Sequence, residues 1–264
     1  VNKTIHSFFS GGRDSALASY ISYMVAKTRG WQFKLIFINT TIPIPDTVNY
    51  VHEFAKWLNA ELVELKPENS FDELIVKYSY PALWHNRWCY YMLKRKPLLD
   101  YLHHNYKPND VVVMGIRQSE SLFRLTNYDK VFSERCYGDL CVKAWYPILY
   151  LSDMDIEKLI RKFKIPRNPV WDRIGMSGDC LCLAGTSESK LERIAIYYPN
   201  IMEKYVELDK KVQANRKSKQ PSYPAPLYHK KMTLSEWYEK FKKQQRIDVF
   251  LTQYGSCQLG CMLE

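Results

Sequence analysis

The sequence predicts an α/β fold built on a doubly wound, mostly parallel sheet. Three observations carry this. Short apolar runs alternate with amphipathic stretches through the first half of the chain. A glycine turn joins the first run directly to the first amphipathic stretch. The segments between runs have the length of crossover helices rather than hairpin turns, which puts helices on both faces of a parallel sheet.

Taken in order, Thr4–Phe9 is a short buried strand and Ser10–Arg13 a glycine turn. Asp14–Arg29 then reads as a helix, with Ala16, Leu17, Tyr20, Ile21 and Met24 on one face. Phe33–Asn39 is a second strand. Asp46 is a candidate cap for the helix Thr47–Asn59, whose Val48, Val51, Phe54, Ala55 and Leu58 form another apolar stripe. Glu61–Leu65 and Asp110–Gly115 are the third and fourth strands. Helical pattern fills the interval between them, Phe71–Tyr78 before the Pro81 break and Arg87–His104 after it. Ser152 caps a helix over Asp153–Phe163, and a Pro- and Gly-bearing loop occupies Ile165–Gly185. Helices Ser187–Asn215 and Leu234–Gln244 flank a Pro-rich linker at Gln220–Pro226. The division expected is an α/β domain over residues 1–185 and a C-terminal helical appendage over 186–264. Right-handed crossovers place the strand carboxyl ends, and therefore the loops Ser10–Ser15, Asn39–Asp46 and Gly115–Arg124, along one edge of the sheet.

The 264 residues are 46% hydrophobic and 25% charged, a balance that excludes a disordered chain. No apolar run approaches the roughly 18 residues that span a bilayer. Val1–Phe9 lacks a basic start, an apolar core and a cleavage site in series. A cytoplasmic protein with no membrane partner is the expectation. The net charge of +10 favours anionic partners. Its Lys and Arg cluster at Lys94–Lys96, Lys158–Lys164, Lys210–Lys219, Lys230–Lys231 and Lys240–Arg246. Solvated helix faces and nucleic-acid binding both account for these.

Ser10-Gly11-Gly12-Arg13-Asp14-Ser15 follows a strand and opens a helix. Glycine tolerates positive φ and brings backbone N–H groups close to phosphate oxygens. The helix N-terminus adds its positive dipole end, and Ser10 and Ser15 add hydroxyls. Arg13 offers a mobile cation. The loop has neither the spacer nor the Gly-Lys-Ser/Thr ending of a Walker loop. At the third loop, Arg117 and Arg124 are candidate bidentate clamps for phosphate or sulfate oxygens, with Glu120 orienting one of them or binding Mg²⁺.

Ser10–Ser15 resembles the pyrophosphate loop of the adenine nucleotide α-hydrolases, and further segments narrow the resemblance to the phosphoadenosine phosphosulfate (PAPS) reductase-like branch. Asn39-Thr40-Thr41 with Pro45-Asp46-Thr47 and Tyr50 is similar to its D-T-G…P-E-T…Y segment. Gly115-Ile116-Arg117 with Glu120, Ser121 and Arg124 is similar to G-I-R-x-x-E-S-x-x-R. Pro147-Ile148, Asp155, Ile165-Pro166, Asn168-Pro169 and Asp172 resemble its P-I…D-V…I-P-x-N-P-x-Y-D run. Asn39 stands where the branch usually has an acid, Thr41 where it usually has glycine, and Arg13 where lysine is commoner. The resemblance covers Thr4 to Gly185 and implies a five-stranded, largely parallel sheet. It implies nucleotide contacts from Ser10, Gly11, Gly12, Arg13, Asp14, Ser15, Asn39, Thr40, Gly115, Arg117 and Arg124, with Arg13, Asp14, Arg117 and Glu120 nearest the chemistry.

The chain has 7 cysteines, which in a reducing compartment point to metal binding or catalysis before disulfides. Arg87-Trp88-Cys89 with Lys94 and Pro97 resembles the branch's R-W-C-T-x-x-L-K-x-x-P segment, and Cys180-Leu181-Cys182 stands where relatives carry C-x-x-C. The resemblance implies a [4Fe–4S] cluster, with zinc as the alternative, its ligands drawn from Cys89, Cys180, Cys182, Cys257 and Cys261. Cys136 and Cys141 flank a turn at Gly138-Asp139 and read as structural residues or a redox pair. The six histidines show no ligand spacing.

Two enzymatic readings follow from the resemblance. In one, ATP held by the loop is cleaved at its α-phosphate to AMP and pyrophosphate during sulfur transfer to tRNA or DNA, with a sulfur-donor protein as partner. In the other, PAPS or its unphosphorylated analogue is reduced to sulfite, with Cys257 or Cys261 as nucleophile and a thioredoxin-like reductant. Cys257 lacks the Glu, Gly and His that surround the reductase nucleophile, which favours the first. A nucleotide-binding subunit without turnover is a third reading, and an oligomer is compatible with all three.

Overall fold

A computed structural model describes residues 3–79, 87–183, 186–215, 227 and 230–245. It divides into two compact units. One comprises residues 1–71 and 87–182, the other 72–86 and 183–264.

The first unit is the α/β layer. Its strands are β1 (Thr4–Phe8), β2 (Gln32–Ile38), β3 (Glu61–Leu65), β4 (Val111–Met114), β5 (Phe132–Tyr137) and β6 (Leu140–Trp145). They lie in the order β3-β2-β1-β4-β6-β5. All neighbouring pairs are parallel except β5 with β6. The order reverses direction on either side of β1, the switch point of a doubly wound sheet. Among the described residues the sheet has six strands, one more than the five expected. The extra strand comes from a hairpin whose turn at Gly138, φ 72°, the sequence did signal. Across that hairpin Cys136 faces Cys141 and the two form a disulfide.

Helix α1 (Arg13–Arg29) packs on β1 through small residues. Ser15, Ala16, Ala18, Ser19, Ser22 and Ala26 are buried on it. Ser19 Oγ pairs with Ser7 Oγ of β1 at 2.9 Å. Short side chains let the helix axis approach the sheet closely, which sets where its N-terminus points. Helix α2 (Pro45–Leu58) begins two residues earlier than the pattern suggested. Ile44, not Asp46, is its N-cap and gives no side-chain cap. Pro45 explains this, because its fixed φ suits the first helical position. Asp46 instead lies in the first turn and pairs with Arg173. Phe9, Tyr50 and Phe54 stack between α2 and the sheet.

The expected helix Arg87–His104 runs as α4 (Trp88–Tyr90), a π-helical turn Tyr91–Arg95 and α5 (Lys96–Asn105). An i→i+5 turn of this kind is rare and concentrates at functional sites. After β4 come a 3₁₀ turn, Gln118–Glu120, and α6 (Leu122–Asn127). Helix α7 (Asp153–Lys162) carries a capping box of Ser152 and Asp155. Helix α8 (Pro169–Ile174) is capped by Asn168.

Helix α3 (Phe71–Tyr78) begins at the border of the two units, its first residue in the first and the rest in the second. The second unit otherwise holds α9 (Glu188–Tyr197), α10 (Pro199–Ala214) and a helix over 234–245. The single helix expected over Ser187–Asn215 is broken at Tyr198, because Pro199 cannot donate to the preceding turn. Asp209 is buried and accepts from Ser235 N and Oγ, both at 3.2 Å. No helix among the described residues is long and apolar enough to cross a membrane.

Candidate functional site

The loop Ser10–Ser15 sits at the carboxyl end of β1, where α1 begins. Gly11 has φ 75°, and a Cβ there would lie 3.0 Å from Thr47 Cγ2. Ser15 Oγ is the internal hub. It accepts from Ser10 N at 3.2 Å, contacts Ser10 Oγ at 3.1 Å and donates to Gly12 O at 2.9 Å. Gly12 is the N-cap of α1 and offers no side-chain cap. The first-turn N–H groups of α1 are therefore left for another acceptor.

Asn168 holds the loop from outside. Its Nδ2 donates to Gly11 O at 2.9 Å and to Ser177 O at 3.0 Å, while its Oδ1 accepts from Val170 N at 3.0 Å. Thr47 Oγ1 also donates to Ser177 O, at 2.6 Å. Segment 177–181 in turn lies along the second loop. Ile44 N donates to Gly178 O at 2.8 Å, Leu181 N to Ile42 O at 3.1 Å, and Thr40 Oγ1 to Asp179 O at 2.9 Å. Thr40 is fully buried by this contact. Asn39 donates to Glu64 Oε1 at 2.8 Å and accepts from Thr41 N at 3.0 Å. Thr41 has φ 67°. That left-handed backbone accounts for glycine being usual at this position in the resemblance.

The third loop meets the first through its backbone. A Cβ on Gly115 would fall 2.7 Å from Ser15 Cα and 2.8 Å from Ser15 N. Arg117 is buried, donating from Nε to Asp14 Oδ2 at 2.9 Å, from Nη1 to Ser119 Oγ at 3.2 Å and from Nη2 to Asp153 Oδ1 at 3.2 Å. Arg13 is turned toward α7, pairing with Asp153 and with Glu157 at 3.2 Å, its guanidinium over the Trp171 ring. Glu120 is occupied by Arg124 and by Arg117 N at 3.3 Å. Burial holds the Arg124 guanidinium below its ordinary range. These cations, expected to face phosphate, are thus each engaged by carboxylates. Asp14 Oδ1 is buried without a hydrogen-bond partner, 3.4 Å from Arg13 Nε.

The cysteines gather on the other flank of the loop. Cys182 is hydrogen-bonded to both Cys89 and Cys180. The Cys182 bond lowers the Cys89 thiol against the effect of burial, whereas Cys180 is pushed up by its own bond to Cys182 and by burial. Lys94, on the π turn, donates to Asp179 Oδ2 at 2.7 Å. Burial opposes its charge, but Asp179 and Cys180 outweigh burial and hold the ammonium above its ordinary range. This ion pair brings Cys89 to the Cys180–Cys182 segment. Beside it a cavity of about 110 Å³ is lined by Phe8, Phe9, Ser10, Ile36, Ile38, Lys94 and Asp179. Cys257 and Cys261 lie outside the described residues.

Residues 4–184 match the phosphoadenosine phosphosulfate reductase domain. The chain belongs to that family. Two uncharacterized proteins of Methanocaldococcus jannaschii are relatives, one 26% identical over 78% of this chain and 41% of its own length, the other 29% identical over 80% and 48%. The chain thus spans less than half the length of either relative. Among solved structures, a PAPS reductase from Candida auris in complex with phosphate aligns over 64% of this chain and 76% of its own, at 19% identity and a TM-score of 0.48. A U34-tRNA thiolase from Methanococcus maripaludis with its [4Fe-4S] cluster aligns over 84% and 74%, at 13% identity and 0.45. An FMN adenylyltransferase from Candida glabrata in complex with FMN and an ATP analogue aligns over 66% and 53%, at 13% identity and 0.47.

In this PAPS reductase domain the expected residues Ser10–Ser15, Arg117 and Gly115 do meet at one edge, and Asn39 and Thr40 flank them. Sequence reasoning missed Thr47, Asp153, Ser177 and Asp179 as members of the same network. Ser177 and Asp179 fall in a loop with no periodicity, and only the neighbouring Gly178, with φ 70°, marked a turn there.

Proposed function

We propose that the chain binds ATP at Ser10–Ser15 and directs cleavage at the α-phosphate, releasing pyrophosphate, in sulfur transfer to a nucleic acid. The observation that carries this is the intact glycine loop at an uncapped helix N-terminus. Pyrophosphate fits such a site, since backbone N–H groups and the helix dipole both favour an anion there. Because Arg13 and Arg117 are already paired with acids, the phosphate donors are the loop N–H groups and the Ser10 hydroxyl. Asp14, whose Oδ1 makes no hydrogen bond and lies 3.4 Å from Arg13 Nε, would hold Mg²⁺. The apolar wall of the cavity beside Ser10, formed by Phe8, Phe9, Ile36 and Ile38, offers adenine a surface to pack on.

An acceptor oxygen attacks the α-phosphorus, the bond to the bridging oxygen breaks, and pyrophosphate leaves with both its electrons. Sulfur then attacks the atom that bore this oxygen, carbon in a tRNA base or phosphorus in a DNA backbone, and AMP leaves carrying the acceptor oxygen. The donor set Cys89, Cys180 and Cys182 is all sulfur, which fits a [4Fe–4S] cluster or Zn²⁺ with one further ligand. Such a cluster, when bound, would supply iron able to hold or reduce sulfur. Mg²⁺, the cluster and a tRNA or DNA acceptor all belong to this reading.

The family to which the chain belongs favours a second reading, reduction of PAPS to sulfite by Cys257 or Cys261. One assay separates the two. With ATP, Mg²⁺ and RNA or DNA, pyrophosphate release abolished by Gly12→Asp supports the first. Sulfite release from PAPS, lost in Cys257→Ser or Cys261→Ser, would overturn it. Anaerobic purification with iron and sulfide analysis tests the metal. About four irons, reduced in Cys89→Ser, are expected; metal-free brownless protein would remove the cluster.

A further inference from the structure

Basic and aromatic side chains alternate on the surface beside the cysteine cluster. Tyr90 and Tyr91 are exposed by 43% and 51%, their rings 5.5 Å apart. Arg87 lies over Tyr90 and Arg95 over Tyr91, each at 5.6 Å. The strip thus lies on the helical stretch that carries Cys89. Among the described residues Arg87 and Arg95 have no carboxylate partner, unlike Arg13, Arg117 and Arg124.

Two features distinguish this strip from an ordinary solvated face. A solvated face pairs its cations with acids along the helix, and here the cations lie on rings instead. Large exposed rings are costly to leave in water, so their concentration on one strip needs a ligand with flat apolar faces. The Arg87 and Arg95 guanidinium groups beside them, without a carboxylate partner among the described residues, favour a ligand with negative charge. Single-stranded nucleic acid has both, alternating bases and phosphates along its length. A duplex hides its base faces and matches only half of the strip.

We infer that Arg87, Tyr90, Tyr91 and Arg95 form a binding strip for single-stranded nucleic acid, with bases stacked on the tyrosines and phosphates held by the arginines. The inference deepens the proposed function, naming the surface by which its acceptor is held, and rests on that reading only for the purpose of binding.

The test is anisotropy with fluorescein-labelled oligonucleotides of one sequence, as single-stranded RNA, single-stranded DNA and duplex, without ATP. Both single strands should bind more tightly than duplex; their ranking identifies the acceptor's sugar. Tyr91→Ala should weaken single-strand binding roughly ten-fold, with Tyr91→Phe restoring it. Arg87→Gln with Arg95→Gln should lower the salt slope of log K by about 1.4, two phosphate contacts at about 0.7 each. Gly12→Asp should leave this binding intact. Binding that persists in Gly12→Asp without pyrophosphate release from the native chain would sink the reaction and leave the strip. Unchanged affinity in Tyr91→Ala, a preference for duplex, or no binding at about 0.1 M salt would overturn the strip whatever the reaction.

Discussion

Asn168 reaches across 157 positions of sequence to hold the carbonyl of Gly11 at 2.9 Å. The same amide nitrogen holds Ser177 O, and the side-chain oxygen caps α8. One residue thus fixes the glycine loop, the start of α8 and the loop bearing Asp179. Asn168→Ala leaves two carbonyls and one N–H without this partner and should cost about 2–4 kcal/mol of stability. Asn168→Asp keeps the cap but turns an oxygen toward both carbonyls. If capping were the whole role, Asp would restore the protein; the expected result is that it does not, with ATP affinity lowered in both variants. Urea denaturation and nucleotide titration read the two effects separately.

Gly115 shows why the third loop tolerates no side chain at its start. An added Cβ would meet backbone atoms of Ser15 and Asp14 at 2.7 to 2.9 Å, and backbone on both sides cannot swing away. Gly115→Ala should therefore lose about 2 kcal/mol or more and weaken nucleotide binding, by prising β4 from the first turn of α1. Gly30→Ala is the control. Its φ is 65° but nothing lies within 4 Å, so only the left-handed backbone resists, at about 1 kcal/mol and without effect on the site. Thermal unfolding of both variants checks the contrast.

Arg117 and Arg124 share a loop and differ in burial. The Arg117 side chain is 5% exposed, and its partner Asp14 is 16% exposed. Removing the guanidinium strands a partly buried carboxylate, so Arg117→Ala should cost on the order of 3 kcal/mol. Adding Asp14→Ala should recover part of that loss, because the stranded charge goes too. The Arg124–Glu120 pair is about one third open, and Arg124→Ala should cost about 1 kcal/mol or less. A double-mutant cycle in denaturant measures the coupling.

These residues also mark how far the sequence could be read. The glycine loop was legible because Gly-Gly between an apolar run and an amphipathic one has few physical uses. The third loop and Cys89 were legible as pieces of a resemblance. What the arginines do was not. Their types suggested phosphate clamps, yet Asp153 and Glu157 on α7 engage Arg13, and nothing in a linear pattern says which of several acids a cation will meet. The sixth strand was missed for a different reason. Phe132–Tyr137 alternates exposed and half-buried residues and carries Glu, Arg and Ser, as befits an edge strand open to solvent, so it lacks the apolar run that marked the first four strands; its partner Leu140–Trp145 was not marked by such a run either.

His6 provides a pH test at the opposite, amino edge of the sheet. It is 1% exposed within β1, with Nδ1 2.9 Å from Tyr101 Oη and Nε2 3.3 Å from Asp110 Oδ2. The carboxylate can only accept, so Nε2 carries the hydrogen and Nδ1 accepts from the tyrosine, a neutral ring satisfied at both nitrogens. Burial holds the pKa below its ordinary 6.5, against the hydrogen bond and charge of Asp110; Lys34 lowers it further and Glu61 opposes. Between the native and unfolded values the unfolded chain binds more protons, so stability rises with pH there. The contribution is complete above about 6.5 and lost as pH falls toward the native pKa. Urea midpoints taken from about pH 5 to 7.5 should climb in the native protein, through the ordinary histidine range. His6→Gln cannot take up this proton, so its climb should be shallower. Equal slopes in the two proteins would mean that His6 does not titrate across folding. A steeper climb in the variant would mean that Asp110 had imposed a raised pKa on the ring, with the opposite sign.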